Sequence, residues 1–202
     1  AMNSNFQVNT HAIGDSANLK VLDNYERLIS ETGSRSMRHR IEHAQILRYE
    51  DIERFSNLGV IPSMQSIHAT SDKNMAQLRL GEVRIQGAYA WRKLIDTGAR
   101  IANGSDFPVE SPNPFWGLHA AVTRQDRNGE PRGGWFPEER MTLIEAFASY
   151  TTDAAYAGHQ EDFIGSLEAG KKADFIFLDR DIFNIPESEI WETQVTETWV
   201  NG

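Results

Sequence analysis

Three side chains in the sequence have the types and positions that could hold a divalent metal ion. His11, His43 and Asp106 each follow or end a short segment with the pattern of a β-strand, in the contexts NTHAIGD, IEHAQ and NGSDFP. Imidazole nitrogens and a carboxylate oxygen can bind such an ion and leave positions open for water. The ion lowers the pKa of its water and polarises a carbonyl group, and a carboxylate touching that water can accept its proton. We therefore expect hydrolytic chemistry at these residues.

Each of these residues also has a structural interpretation. A single histidine at a strand end is more often a hydrogen-bonded structural residue than a ligand, and the run 104–106, Gly-Ser-Asp, is by itself a common turn or helix cap. The equivalent positions of the three residues in a repeated unit favour the metal site. His68 follows a third strand and could reach a substrate, whereas His39, His119 and His159 are expected to be structural or solvated. The sequence has no glycine-rich phosphate motif and no Gly-x-Ser-x-Gly nucleophile motif.

The elements that must position these residues form a repeated strand-helix unit. Helices that end on Gly33, Gly59 and Gly98 and lead into strands indicate a parallel sheet in an α/β fold. The carboxyl ends of parallel strands share one edge of a sheet, where chemistry collects. The patterns predict strands at 6–10, 40–43, 60–65 and 101–104, helices at about 16–32, 49–58, 89–97 and 142–157, a further helix around 115–122, and a polar connection after the third strand. In the tail, two strands are expected around a Gly170–Lys171 turn and another at 198–200.

Composition and charge limit the functions that the chain can have. The chain has 202 residues, 40% of them apolar, which is ordinary for a globular protein. The absence of cysteine excludes disulfides and a thiol nucleophile, and leaves a reducing, cytoplasmic compartment as the default expectation. A net charge of −9 argues against nucleic acid or an anionic membrane as partner. No stretch predicts a membrane span or a secretory signal. Because both ends cut into apparent strands, we expect a fragment.

Five segments carry a resemblance to a known family. They are NTHAIGD at 9–15, RIEHAQ at 40–45, SMQSIHATSD at 63–72, AYAWRKLIDTGARIANGSDFPVESPNP at 88–114 and GSLEAGKKADFIFLDRD at 165–181. Together they resemble the C-terminal part of the amidohydrolase superfamily, specifically the amidohydrolase-3 group that includes N-substituted formamide deformylase-like metal-dependent hydrolases. The resemblance implies the C-terminal half of a (β/α)8 TIM-like barrel at 1–158 and part of a small β-sandwich at 159–202.

The resemblance also implies roles for single residues. His11 and His43 would be metal ligands after barrel strands five and six. Asp106, after strand eight, would be both a ligand and the catalytic acid/base. Gln65 and His68, after strand seven, would face a small-molecule substrate. The reaction would be hydrolysis of an amide or other C–N bond, with zinc as the expected metal and iron or manganese as alternatives.

The sequence departs from the family pattern in ways that bear on activity. It contains no His-x-His pair, and the lysine or glutamate that bridges the metals after strand four has no counterpart. A full barrel takes ~250 residues, so we expect this chain alone to be inactive. Open sheet edges would need a cover, which predicts self-association or pairing with the missing N-terminal half. One alternative is a non-catalytic, self-assembling half-barrel module, and a chain that takes up no metal would indicate it. The other is a sugar- or nucleotide-binding α/β domain.

Overall fold

The computed structural model describes residues 1–202, which form two compact units. The first unit comprises residues 1–65 and 72–102, and the second comprises residues 66–71 and 103–202. The division at residue 158 follows from the family resemblance and stays a prediction.

A four-stranded sheet with the order β1-β2-β3-β4 confirms the expected α/β architecture. The strands are β1, Asn9–Ala12; β2, Arg40–His43; β3, Ile61–Met64; and β4, Ala102–Asn103. The first three pair in parallel, with Ala12 opposite His43 and Arg40 opposite Ile61. The first strand begins three residues later than predicted, since Phe6 is 65% exposed and pairing starts only at Asn9.

Four helices belong wholly or in part to the first unit. They are α1, Asp15–Thr32; α2, Ile52–Leu58; α3, Ser66–Arg84, whose first six residues belong to the second unit; and α4, Trp91–Asp96. Gly33 and Gly59 end α1 and α2 with φ values of 67° and 66°, which confirms two of the three predicted glycine caps. The third, Gly98, follows the cap residue Thr97 of α4 and has a φ of 86°. The buried core includes Leu22, Ile41, Phe55, Met64, Trp91 and Leu94.

The helix α3 corrects the polar connection expected after the third strand. Its apolar residues do not form a buried stripe, because Met75, Leu78 and Val83 are 54%, 87% and 85% exposed. Without that stripe, the periodicity that marks an amphipathic helix is absent from the sequence. The helix is interrupted at Gly81, where φ is 69° and ψ is 175°.

A buried asparagine in α1 holds together the loops that follow β1 and β2. The Asn18 side chain is fully buried, and its Nδ2 donates to the carbonyl oxygens of Ile13 (3.1 Å), Gly14 (3.0 Å) and Ile46 (3.0 Å). Ile13 and Gly14 follow β1, whereas Ile46 follows β2. This amide adds to two backbone hydrogen bonds, from Ile46 N to Ile13 O at 2.9 Å and from Ala44 N to Ala12 O at 3.0 Å, in fixing the spacing between the strand ends that carry His11 and His43.

Replacing Asn18 with alanine is expected to lower the free energy of unfolding by about 1–3 kcal/mol, because the buried Ile46 carbonyl loses its donor. The carbonyls of Ile13 and Gly14 keep backbone donors, from Ile46 N and Asn18 N at 2.9 Å each. Urea denaturation measures this change. The matched control is Asn24→Ala, which removes an Nδ2 bond to the Lys20 carbonyl on the exposed side of the same helix. That control should change the free energy by less than about 0.5 kcal/mol. Equal losses in the two variants would contradict the anchoring role of Asn18.

The second unit contains three further helices and a separate two-stranded sheet. These are α5, Pro114–Thr123; α6, Leu143–Tyr150; α7, Thr152–Ala157; β5, Phe175–Leu178; and β6, Val195–Trp199. The helix predicted at 142–157 is divided at Thr151, whose φ of −124° and ψ of −90° are not helical. At its start, Thr142 and Glu145 form the predicted capping box. None of the helices in the structure has the length and apolar character needed to cross a membrane.

The strand pairing in the tail corrects the expected hairpin around Gly170–Lys171. The strand expected before that turn is absent. The strand after it, β5, pairs in antiparallel fashion with β6. Phe175 and Trp199 stack across the pair, with ring centroids 5.8 Å apart and planes 7° from parallel. This cross-strand aromatic contact links segments that are distant in sequence.

Candidate functional site

Two histidines lie together at the carboxyl ends of neighbouring strands in the first unit. His11 is in β1 and His43 ends β2, and their ring centroids are 4.5 Å apart with an interplanar angle of 73°. His11 is exposed and His43 is half-buried. The structure thus brings together two of the residues that the sequence indicated as metal ligands.

The side chain of Gln65 determines which nitrogen of His43 carries the proton. Gln65 follows β3 and is buried, with its Oε1 2.8 Å from His43 Nδ1. Its Nε2 donates to the Ser63 carbonyl oxygen at 3.5 Å, so the amide oxygen is the atom that faces the imidazole. An amide oxygen only accepts, so Nδ1 carries the hydrogen and Nε2 of the neutral ring keeps its lone pair. This is the arrangement in which a histidine binds a metal through Nε2.

The donor set fits a divalent metal ion only in part. Two adjacent imidazoles, one with its tautomer set by an amide, are ligands that zinc and similar ions accept. No group of three or more His, Asp or Glu side chains in the structure is placed to hold a metal. His11 and His43 therefore supply two ligands of a site that requires others.

Replacing Gln65 with leucine in the full-length protein is expected to weaken metal binding by about 10–100-fold, because His43 loses the acceptor that sets its tautomer. Competition with a chelator measures this affinity, and the ¹⁵N chemical shifts of His43 report the tautomer directly. The matched variant Gln65→Glu keeps an acceptor and should retain both the tautomer and the affinity. An unchanged tautomer in Gln65→Leu would contradict this role.

Unusual backbone conformations occur at two of the predicted ligand positions. His43 has a φ of 78°, Ala44 has a φ of 44° and Asp106 has a φ of 57°. Residues other than glycine are uncommon in this region, and strained residues cluster at active sites. The strand-end pattern in the sequence located these residues, but it carries no signal for their left-handed backbone.

Asp106 and His68, the other two predicted site residues with ionisable side chains, belong to the second unit. Asp106 is exposed in the loop after β4, and His68 is 6% exposed in the first turn of α3. Asn103 connects these segments, because its Oδ1 accepts from Ser66 N and Ser66 Oγ at 3.0 and 2.8 Å. Its Nδ2 donates to Ser149 Oγ at 2.9 Å. Asn103 thus fixes the start of the loop that carries Asp106.

Two positioning residues, Asn18 and Asn103, were not identified from the sequence. Asparagine is unfavourable in helix interiors and in strands. Its presence inside α1 and in β4 was therefore the available sign of a positioning role. By contrast, His39 is structural, as expected. It is buried, its Nδ1 accepts from Val8 N at 3.0 Å, and its Nε2 lies 3.0 Å from Ser34 Oγ. Burial lowers its pKa, so it is neutral at pH 7.

Comparison with known proteins identifies the family. The model of the amidohydrolase family matches residues 1–202. The chain belongs to the amidohydrolase family. YtcJ of Bacillus subtilis (strain 168), named as an amidohydrolase, is 33% identical over 100% of this chain and 38% of its own length. The N-substituted formamide deformylase of Arthrobacter pascens is 30% identical over 95% of this chain and 35% of its own length. The chain thus spans little more than a third of these amidohydrolase relatives.

Solved structures agree with this family membership. A metal-dependent hydrolase from Pyrococcus horikoshii OT3, itself uncharacterised, is 33% identical and superimposes with a TM-score of 0.75 over 90% of this chain and 35% of its own. The zinc complex of atrazine chlorohydrolase from Arthrobacter aurescens TC1 shares the fold, with a TM-score of 0.64 at 21% identity over 99% of this chain and 44% of its own. The amidohydrolase fold is therefore shared with metal-dependent hydrolases.

Proposed function

We propose that the full-length protein is a metal-dependent hydrolase that cleaves an amide or other C–N bond. The observation that carries the proposal is the pair of imidazoles at neighbouring strand ends, 4.5 Å apart, with the His43 tautomer set by Gln65. The similarity to an N-substituted formamide deformylase supports the amide bond as the target. The similarity to a metal-dependent hydrolase supports the metal.

The proposed mechanism divides metal binding, proton transfer and substrate contact among five residues. A bound divalent ion would supply Lewis acidity, which acidifies water and polarises a carbonyl group. His11 and His43 would hold that ion, with zinc expected because imidazoles suit it and because a protein of the same fold binds zinc. Asp106 would add a carboxylate oxygen to the site. Iron and manganese remain alternatives.

Proton transfer is assigned to Asp106. Its carboxylate would accept a proton from the attacking water and then deliver it to the leaving nitrogen of the substrate. The exposed position of Asp106 in the loop after β4 leaves both oxygens open to such partners. His68 and Gln65 would contact the substrate, with Gln65 also holding His43.

The mechanism requires parts beyond this chain. The chain spans 38% and 35% of two hydrolase relatives, and its own residues supply no complete metal cluster. We infer that it corresponds to a half-barrel with part of a β-sandwich, and that it is inactive alone. Ile176, Phe177 and Trp199 are 45%, 51% and 46% exposed on β5 and β6. Such apolar surface favours association.

Light scattering on this 202-residue chain is therefore expected to show self-association that increases with concentration. Co-expression with the remaining part of the full-length protein should replace these oligomers with a defined complex. A chain that stays strictly monomeric at high concentration would contradict the expectation that another chain covers its open sheet edges and exposed apolar surface.

The test of the proposed function is metal analysis combined with an amide hydrolysis assay. The full-length protein should contain bound divalent metal and hydrolyse an N-substituted formamide, chelation should abolish the activity, and added zinc should restore it. The matched control substrate is the corresponding formate ester, since selective cleavage of the ester would redirect the proposal to C–O bonds. A metal-free protein with full activity would overturn it, and absence of metal uptake would favour the non-catalytic alternative.

A further inference from the structure

A cavity with polar side chains in its walls lies within the second unit. Its volume is about 170 Å³, and its lining includes Ile67 in α3, Glu110 before α5, His119 in α5 and Arg127 after α5. A cavity of ~150 Å³ accommodates benzene, so this one can take a molecule of amino-acid size. None of these lining residues has a task in the proposed hydrolysis.

A buried histidine in the wall of this cavity lacks hydrogen-bond partners. His119 is 3% exposed, and only its backbone carbonyl takes part in a side-chain hydrogen bond, from Thr123 Oγ1 at 2.7 Å. Burial lowers the pKa of its imidazole to about 4, with Asp126 and Arg127 as the charged groups that act on it. At neutral pH the ring therefore offers one N–H donor and one acceptor. The His119 ring has no hydrogen-bond partner in the chain and lines the cavity, so a ligand there can bond to its nitrogens.

The charged groups of the lining are not paired with one another. The Arg127 guanidinium carbon lies 3.6 Å from the centroid of the Trp116 ring, and no carboxylate forms an ion pair with it. Glu110 Oε1 accepts from Ser71 Oγ at 2.6 Å, which leaves Glu110 Oε2 without a partner. Asp126 Oδ1 accepts from the backbone N–H groups of its own loop. Glu110 and Arg127 thus present opposite charges to the same cavity.

These charges define the chemical class of the ligand. Two carboxylates and one guanidinium leave the lining with a net negative charge, which disfavours a simple organic anion. A simple cation would be repelled by the positive guanidinium of Arg127 in the same lining. We propose that this cavity binds a small α-amino acid, with the ammonium group toward Glu110, the carboxylate toward Arg127 and an apolar side chain against Ile67 and Trp116. This site is independent of the metal and of the proposed hydrolysis.

The test uses three ligands of similar shape on the full-length protein: leucine, 4-methylpentanoate and 3-methylbutylamine. Titration followed by ¹H–¹³C NMR of the His119 ring should give saturable shifts with leucine at a Kd of about 1 mM or tighter. The two singly charged ligands should bind at least ~10-fold more weakly, since each loses one charge-assisted contact. His119→Gln assigns the resonance.

Variants test the two charges separately. Arg127→Gln and Glu110→Gln should each weaken leucine binding at least ~10-fold, whereas Arg132→Gln and Glu138→Gln change exposed residues outside the cavity and should have no effect. Circular dichroism confirms that each variant is folded. Absence of any His119 shift at ~10 mM leucine, or equal binding of leucine and 4-methylpentanoate by the unaltered protein, would overturn the proposal.

Discussion

Replacing Asp106 with asparagine in the full-length protein is expected to lower kcat by about 10²–10⁴-fold on an amide substrate. The amide oxygen of asparagine can still approach a cation, but it cannot accept a proton from water or pass one to a leaving nitrogen. The left-handed backbone at Asp106, with a φ of 57°, also accepts asparagine. The substitution therefore changes the proton chemistry and leaves the loop conformation in place.

The measurement is steady-state kinetics on metal-loaded protein, with metal content determined for every preparation. Asp162→Asn is the matched control, because Asp162 is an exposed aspartate in the same unit. It should keep the parental kcat. Turnover of Asp106→Asn within about tenfold of the parent would remove Asp106 from the proton-transfer role.

Removal of either imidazole is expected to reduce metal affinity by more than the ~100-fold attributed to an outer partner. His11→Asn and His43→Asn each delete a direct ligand from the pair whose ring centroids are 4.5 Å apart. The decrease should be seen as metal loss on dialysis against a chelator. His159→Asn is the control, since His159 is exposed and its φ of 55° suits asparagine.

A double-mutant cycle distinguishes direct binding from a general loss of structure. Gln65 acts on the metal through His43, so Gln65→Leu should cost little more once His43 is already asparagine. Combined with His11→Asn, Gln65→Leu should retain most of its separate effect. Full metal occupancy in both single histidine variants would show that these strand ends are not the metal site.

The sheet could be predicted from the sequence because its signals are local. Gly33 and Gly59 terminate helices by adopting a conformation that other residues avoid, and a short apolar run follows Gly59. The strand ends then located His11 and His43 at one edge without knowledge of the distance between them. In α3, by contrast, Leu78 and Val83 are exposed, so no periodic pattern distinguished a helix from a polar connection.

The contacts that position the site could not be predicted, because they depend on tertiary structure. The family resemblance implies that Gln65 faces a substrate, and it gives no sign that the amide oxygen lies 2.8 Å from His43 Nδ1. Asn103 contacts Ser66 and Ser149, which are far from it in sequence. The two-stranded sheet of the tail likewise forms between β5 and β6, which are separated in sequence by an intervening segment. Such pairings require the folded chain.

The buried amide of Asn18 has a consequence for motion at the strand ends. Its Nδ2 binds Gly14 O after β1 and Ile46 O after β2, at 3.0 Å each. Together with the backbone bond from Ile46 N to Ile13 O at 2.9 Å, this amide joins the two loops, so we expect a displacement of one loop to move the other. Loops that move together would keep the distance between His11 and His43 nearly constant during thermal motion, although β1 and β2 have only four residues each.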